Sequence, residues 1–306
     1  MALPSYMKWL PAEAIETISR LEFLAHGTVE GFVSGKHKSA RKGASVEFAE
    51  HRQYFPGDDL RNLDWKLVAR RQRLYIREYV DETNLRATVL LDCSGSMSYS
   101  SESAADGLSK FDYARYVVAL LTYLLIRQQD GVGFVAYDRA VRTYMPAKAQ
   151  PTQVRQILTA VDELDCTGET DTASTLHEIA ERIPRRGVVF LVSDLYGDVE
   201  ETLKALHHLR FRHHEVVVLH VVDEAEMTFP FSELLQFHDP ETDELLNVDA
   251  QALRHEYLSR VEDFMRRLRR GCGEMHITHE LLNTKVPFDR ALTDVLVRYH
   301  PTGGGR

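Results

Sequence analysis

Asp92, Ser94 and Ser96 stand in the pattern D-x-S-x-S where the apolar run RATVLLD gives way to a polar loop. One carboxylate and two hydroxyls, alternating as a strand end turns into a loop, can face a single point. Oxygen donors of low total charge suit a hard divalent cation such as Mg²⁺. Two more donors follow in chain order. Thr170, in the loop TGETD ahead of a helical stretch, offers a third hydroxyl. Asp194, closing the run GVVFLVSD, offers a second carboxylate, directly or through water. Such a site keeps positions open for water or for a carboxylate from another molecule. D-x-S-x-S alone also reads as a polar loop capping a helix. Its place at a strand end, with Thr170 and Asp194 in order behind it, favours the metal site over that reading and over an intact fold with an empty site.

Other chemistries fit less well. Ser94 has no G-x-S-x-G elbow around it. Asp92 as a phosphoryl nucleophile would want a second carboxylate two residues on, where this chain has Ser94. No G-x-x-x-x-G-K-[ST] is present, so the chain is not itself a P-loop ATPase. His207, His208, His213 and His214 lie close in sequence but bracket a helix end and a strand start, without the spacing of a zinc site. Cys93 reads as a small filler beneath the loop. A metal-dependent hydrolase or phosphatase would need a general base near the ion, and Glu169 or Asp171 is the nearby candidate.

The elements that must position these residues alternate. Expected strands cover 86–92, GVGFVAYD, AVRTYMP, 187–194, 215–223 and HITHELLNT. Expected helices cover 109–129, 151–164, 172–183, 198–210, 250–271 and 287–299, and a hairpin turns near 239–243. Strands alternating with helices imply an α/β fold, a mostly parallel Rossmann-type sheet with helices on both faces. In such sheets ligands sit beyond the carboxyl ends of the strands, where Asp92 and Asp194 fall. Ahead of it, 12–28 reads as a helix and RLYIREYV as a strand. The expected division is an N-terminal segment 1–84 packed on a sheet domain 85–300, with a disordered tail 301–306.

Within that N-terminal segment, Arg61, Lys66, Arg70, Arg71, Arg73 and Arg77 are interleaved with Glu47, Asp58, Asp59, Asp64, Glu78 and Glu82. Structural ion pairs are the simpler account. The sharper one is a docking surface in which Arg61, Arg70 and Arg71, with Glu169 near the ion, meet a partner. Trp65 reads as a core anchor.

Bulk properties narrow the class. The chain has 306 residues, a net charge of −9, 44% hydrophobic and 27% charged residues. That charge argues against nucleic acid and against anionic membrane surfaces. Three cysteines, widely spaced, suggest no disulfide framework. The first residues lack the apolar run of a signal peptide, and the longest apolar stretch is too short to span a bilayer. A cytoplasmic protein with no membrane span is expected.

LLDCSGSM, GETD and FLVSD resemble the three parts of the metal-ion-dependent adhesion site (MIDAS) of von Willebrand factor A (vWA) domains. The resemblance implies a vWA-like fold that holds Mg²⁺ or Mn²⁺ on Asp92, Ser94, Ser96, Thr170 and Asp194, with a ligand carboxylate completing the shell. Gly-Glu-Thr stands where Gly-Gly-Thr is common, so Glu169 adds an acidic group. The run VEFAEHRQYFPGDDLRNLDWKLVARRQRLYIREYVDE, with KFDYA and FHDPETDELLNVD further on, resembles the DUF58 family over about residues 30–300. Many members of that family carry transmembrane helices ahead of this region, and this chain resembles the soluble, MoxR-associated subtype. Family members are commonly encoded beside MoxR-type AAA+ ATPases and other vWA proteins. The resemblance implies a non-enzymatic partner or adaptor in ATPase-driven maturation or assembly of other proteins.

Overall fold

A computed structural model of the chain describes residues 4–19, 46–54, 64, 65, 67, 74–81, 86–166, 171–184, 186–238 and 245–298. They fall into two compact units, one within 37–84 and one made of the described residues on either side of it. The elements in chain order are α1 (Ala12–Ser19), β1 (Val46–Gln53), β2 (Tyr75–Asp81), β3 (Arg86–Asp92), α2 (Lys110–Arg127), β4 (Gly131–Tyr137), β5 (Val141–Lys148), α3 (Pro151–Glu163) and α4 (Thr172–Arg182). They continue with β6 (Gly187–Ser193), α5 (Val199–Phe211), β7 (His214–Val222), α6 (Glu224–Thr228), β8 (Leu234–His238), β9 (Leu245–Asp249), α7 (Ala250–Glu274), β10 (Thr278–Asn283) and α8 (Phe288–Arg298).

The larger unit is built on a six-stranded sheet of order β10-β7-β6-β3-β4-β5. Every neighbouring pair is parallel except β4 with β5, which is antiparallel. The inner strands are apolar on both faces, as parallel strands covered on both sides must be. Their side chains alternate between two cores. Ala87, Val89 and Leu91 of β3 join Val188, Phe190 and Val192 of β6 in one, with α2, α3 and α8. Leu90, Val189 and Leu191 face the other, with α4, α5 and the last third of α7. Each such Leu, Val or Phe contributes about 1.5–3 kcal/mol on burial. The two edge strands differ: β5 alternates half-buried with exposed residues, and in β10 only Leu282 is fully buried.

This order creates a switch point. The crossover after β3 runs through α2 on one face, and the crossover after β6 runs through α5 on the other. The two strands are neighbours, so their carboxyl ends open onto a crevice between diverging chains. The first helix of this arrangement opens on a cap, with the Ser109 hydroxyl accepting from Asp112 N at 3.1 Å.

The expected α/β architecture is the observed one, with differences at the ends. Residues 4–19 belong with the larger unit, not with the segment that follows them. Trp9, Leu10 and Ala14 are buried in the first core, and Trp9 Nε1 donates to Asp162 of α3 at 3.1 Å. The expected division at residue 84 is nevertheless an edge of the smaller unit. The tail 301–306 and residues 20–28 of the expected first helix lie outside the described residues. In the smaller unit β1 and β2 pair antiparallel with an irregularity between Phe48 and Glu50. There Asp64 turns inward, its carboxylate accepting from Leu67 N at 3.1 Å, while Trp65, expected as a core anchor, is 68% exposed. β8 and β9 form a separate antiparallel hairpin, as expected. Among the described residues no helix is long and apolar enough to cross a membrane.

Candidate metal centre

Asp92 ends β3 and Asp194 directly follows β6, so parallel pairing of these strands brings the two acids to one end of the sheet. Both side chains are buried. Asp92 Oδ1 accepts from Ser94 N at 2.9 Å, which folds the loop back over the strand end. Asp92 Oδ2 accepts from the Ser193 hydroxyl at 2.6 Å, a bond that reaches across to β6. Ser94 then leads into a single 3-10 turn, Gly95–Ser98, which sets the Ser94 and Ser96 hydroxyls 3.1 Å apart. The Ser96 hydroxyl also reaches the Asp194 carboxylate.

After Asp194 the chain turns sharply. Leu195 takes a left-handed conformation, φ 53°, that a leucine adopts at a cost of about 1–2 kcal/mol. Its amide donates to Ser193 Oγ at 2.8 Å and its side chain is buried. Backbone strain held by surrounding contacts is common where a side chain must be aimed. Here it aims Asp194, whose Oδ1 accepts from Tyr196 N at 3.1 Å.

The electrostatics are asymmetric. Burial raises the Asp92 carboxyl well above the ordinary carboxylate range, and the neighbouring Asp194 raises it further. Burial pushes Asp194 the same way, but the Lys110 ammonium together with hydrogen bonds from Lys110, Tyr196 N and Ser96 outweighs it and leaves Asp194 below its usual value. Lys110 Nζ donates to Asp194 Oδ2 at 2.8 Å and to Glu226 Oε1 at 2.6 Å. Burial opposes the Lys110 charge, and the two carboxylates more than restore it. Glu226 in turn closes a capping box on α6, its Oε2 accepting from Asp223 N at 2.9 Å.

These residues fit a hard divalent cation. The donors are all oxygens, and Asp92 is a buried carboxylate pushed toward protonation by a second carboxylate beside it. A cation at that point relieves both effects. Asp92, Ser94 and Ser96 would hold the ion and Asp194 would reach it through Ser96 or a water. A cavity of about 610 Å³ opens next to this end of the sheet. It shares Lys110 and Asp194 with the site and is walled by Val222, Tyr257, Val261 and Phe264.

Four of the five expected ligands are therefore brought together. Thr170 and Glu169 lie outside the described residues, as do Arg61, Arg70 and Arg71. Cys166, the last described residue ahead of Thr170, donates its thiol to the Ser94 carbonyl at 2.7 Å. Asp171, considered as a general base, instead caps α4 by accepting from Ser174 N at 3.1 Å. Cys93 is buried in the core beneath the loop, where burial pushes its thiol far up. Among the described residues no group of three or more His, Cys, Asp and Glu side chains is placed to hold a metal, His207, His208, His213 and His214 included. A site built on hydroxyls and two carboxylates does not depend on such a group.

Sequence reasoning missed Lys110, Ser193 and Glu226. Lys110 carried one signal. It follows the N-cap Ser109 directly, and a cation in the first turn of a helix is opposed by the helix dipole. Ser193 sits in plain view in FLVSD, but its partner lies 101 residues away.

An uncharacterised protein of Mycobacterium bovis and one of Mycobacterium tuberculosis are each 26% identical over 214 residues, which is 69% of this chain and 65% of theirs. Among solved structures, the conserved hypothetical protein BatB from Bacteroides thetaiotaomicron is similar over 69% of this chain and 98% of its own, at 11% identity and a TM-score of 0.41. An aerotolerance-related membrane protein from Bacteroides fragilis is similar over 70% and 99%, at 14% and 0.44. The SpRpn10 VWA domain is similar over 73% and 99%, at 13% and 0.39. The model of the family described as "Protein of unknown function DUF58" matches residues 50–266, a span that includes β2 of the smaller unit, Asp92 and Asp194. The chain belongs to the DUF58 family.

Proposed function

We propose that this chain is a metal-dependent protein-interaction module. Mg²⁺ or Mn²⁺ is held by Asp92, Ser94 and Ser96, with Thr170 and Asp194 completing the set, and an Asp or Glu of a partner takes an open position. The observation that carries this reading is the convergence of Asp92, Ser94, Ser96 and Asp194 at the switch point between β3 and β6. The bound ion supplies a Lewis-acidic position for a carboxylate. The chain's own residues do the rest. Ser193 and the Ser94 amide fix the Asp92 carboxylate, Tyr196 N fixes Asp194, and the walls of the adjoining cavity leave room for the side chains that flank the partner's acid.

The reading is of binding without turnover: of the two candidate bases, Asp171 is committed to a helix cap. The partner is a MoxR-type AAA+ ATPase, another vWA protein or their client, in the cytoplasm. The choice of partner rests on the family resemblance, and the compartment on a sequence without a disulfide framework.

The test is isothermal titration of metal-stripped protein with Mg²⁺ and Mn²⁺, wild type against Asp92→Ala, followed by capture of a MoxR-type ATPase with and without the ion. Binding that is lost in Asp92→Ala, and ATPase capture that needs the ion, are the expected results. Wild-type protein that binds neither ion, or a variant that binds as wild type does, would end this reading.

A further inference from the structure

Lys110 stands at the metal centre but belongs to none of its ligand sets. Its ammonium is almost wholly buried, and it touches the same carboxylate that a divalent ion would draw on. Both Asp194 oxygens already have partners, Lys110 on Oδ2 and Tyr196 N on Oδ1. Glu226 takes a second bond from the ammonium, and the Tyr99 ring lies 5.9 Å from it. Among the described residues Lys110 is the one buried lysine. A buried ammonium is tolerated when its charge is met and its protons are bonded, and two carboxylates do that here.

We infer, building on the metal-centre reading above, that Lys110 is an internal competitor for Asp194, which weakens the centre's hold on a divalent ion and leaves the bound ion more attractive to a carboxylate from a partner. The charges give the reason. Asp92 and Asp194 alone would neutralise a divalent ion. With Lys110 paired to Asp194, one of those two negative charges is already met, and the ion keeps unmatched positive charge. Two cations near one buried carboxylate also repel each other in a medium that screens poorly. Glu226 moderates the effect, because it shares the ammonium and adds a negative charge on its far side.

The two variants Lys110→Met and Glu226→Gln must therefore shift ion affinity in opposite directions. A role limited to holding the fold together would weaken binding in both. Lys110→Met is expected to bind Mn²⁺ about tenfold more tightly than wild type. Glu226→Gln is expected to bind it several-fold more weakly, and Lys110→Arg to stay close to wild type. Acetate added to the Mn²⁺ complexes, read by the loss of water-proton relaxation, is expected to bind more weakly to Lys110→Met than to wild type.

All titrations use the full chain with metal alone as the probe, and Asp92→Ala is run beside them. If Asp92→Ala binds Mn²⁺ as wild type does, the ion sits elsewhere and the metal-centre reading fails, taking this inference with it. If Asp92→Ala loses the ion while Lys110→Met binds no more tightly than wild type, the inference alone is overturned. Should Lys110→Met not fold without metal, Glu226→Gln decides. Weaker binding supports the competition, and equal or tighter binding overturns it.

Discussion

The Ser193 hydroxyl donates to Asp92 Oδ2 at 2.6 Å, joining the last residue of β6 to the last residue of β3. The same oxygen accepts from Leu195 N at 2.8 Å, so one serine orients the first carboxylate of the site and the turn that aims the second. Partners of this kind, one step removed from a ligand, typically account for 10–100-fold in metal affinity. Ser193→Ala is expected to weaken Mg²⁺ binding by about tenfold and to lower stability by about 1–2 kcal/mol, since it leaves a buried amide and a buried carboxylate oxygen short of a bond. Titration calorimetry and urea unfolding read the two effects separately. A variant that loses stability and keeps full ion affinity would show that Ser193 only ties the strands together.

Asp92 is expected to destabilise the protein when no ion is bound. Burial and the neighbouring Asp194 both disfavour its charge. Asp92→Asn keeps the shape and removes that charge, so metal-stripped protein should gain about 1–2 kcal/mol while ion binding is lost. Melting with and without Mg²⁺ checks both parts: the variant should melt higher than stripped wild type and should not respond to the ion. A lower melting point in the stripped variant would mean that the carboxylate is already compensated by its bonds to Ser94 and Ser193.

The sheet was readable from its texture because the inner strands are short apolar runs ending in acids. RATVLLD closes on Asp92, and GVVFLVS is followed by Asp194. Period and endpoint together say buried strand with a polar carboxyl end, and the alternation with helices supplies the topology. The convergence of Asp92, Ser94, Ser96 and Asp194 was readable for the same reason, since local spacing at two strand ends places them. What sets their charge was not. Lys110 meets Asp194 across 84 residues of sequence and Glu226 across 116, and no local pattern encodes a contact made by tertiary packing. Trp65 misled for a related reason. An aromatic beside an aspartate reads as the buried member of the pair, yet it is Asp64 that is buried, its carboxylate accepting from Leu67 N.

Acid sensitivity should arise far from the site. His214 opens β7, at the opposite end of the sheet, and is buried. Burial lowers its pKa from 6.5 to about 4, and the Arg212 charge adds to the effect. The unfolded chain therefore binds a proton between about pH 6.5 and about pH 4 that the folded one refuses. The neutral ring's contribution is fully present above pH 6.5 and is lost progressively as pH falls toward 4. The loss should reach up to about 3 kcal/mol. His214→Gln should flatten that acid limb in urea unfolding between pH 7 and pH 4.5. An unchanged limb would assign the loss to His220 and His279, whose pKa values burial also lowers, to about 3 and about 4.

The cavity beside the ion gives a way to separate the metal from the partner. Its α7 wall presents Tyr257, Val261 and Phe264 at helical spacing, and Asp92, Ser94 and Ser96 are not among the residues that line it. The volume is in the range that receives a sizeable ligand, and a large side chain built into it should exclude that ligand without disturbing the oxygen ligands. Val261→Trp is expected to leave Mn²⁺ affinity within about twofold of wild type, because metal affinity is set by the ligands and the groups bonded to them. Capture of the ATPase partner should drop by at least tenfold, the change of about 1.4 kcal/mol expected when a well-filled contact is replaced by a clash. If ion binding and partner capture both survive, the partner approaches the ion from the side of the Ser94–Ser96 loop. If ion binding falls along with capture, α7 positions the centre itself. Only loss of capture with the ion retained assigns the cavity to the partner's flanking side chains.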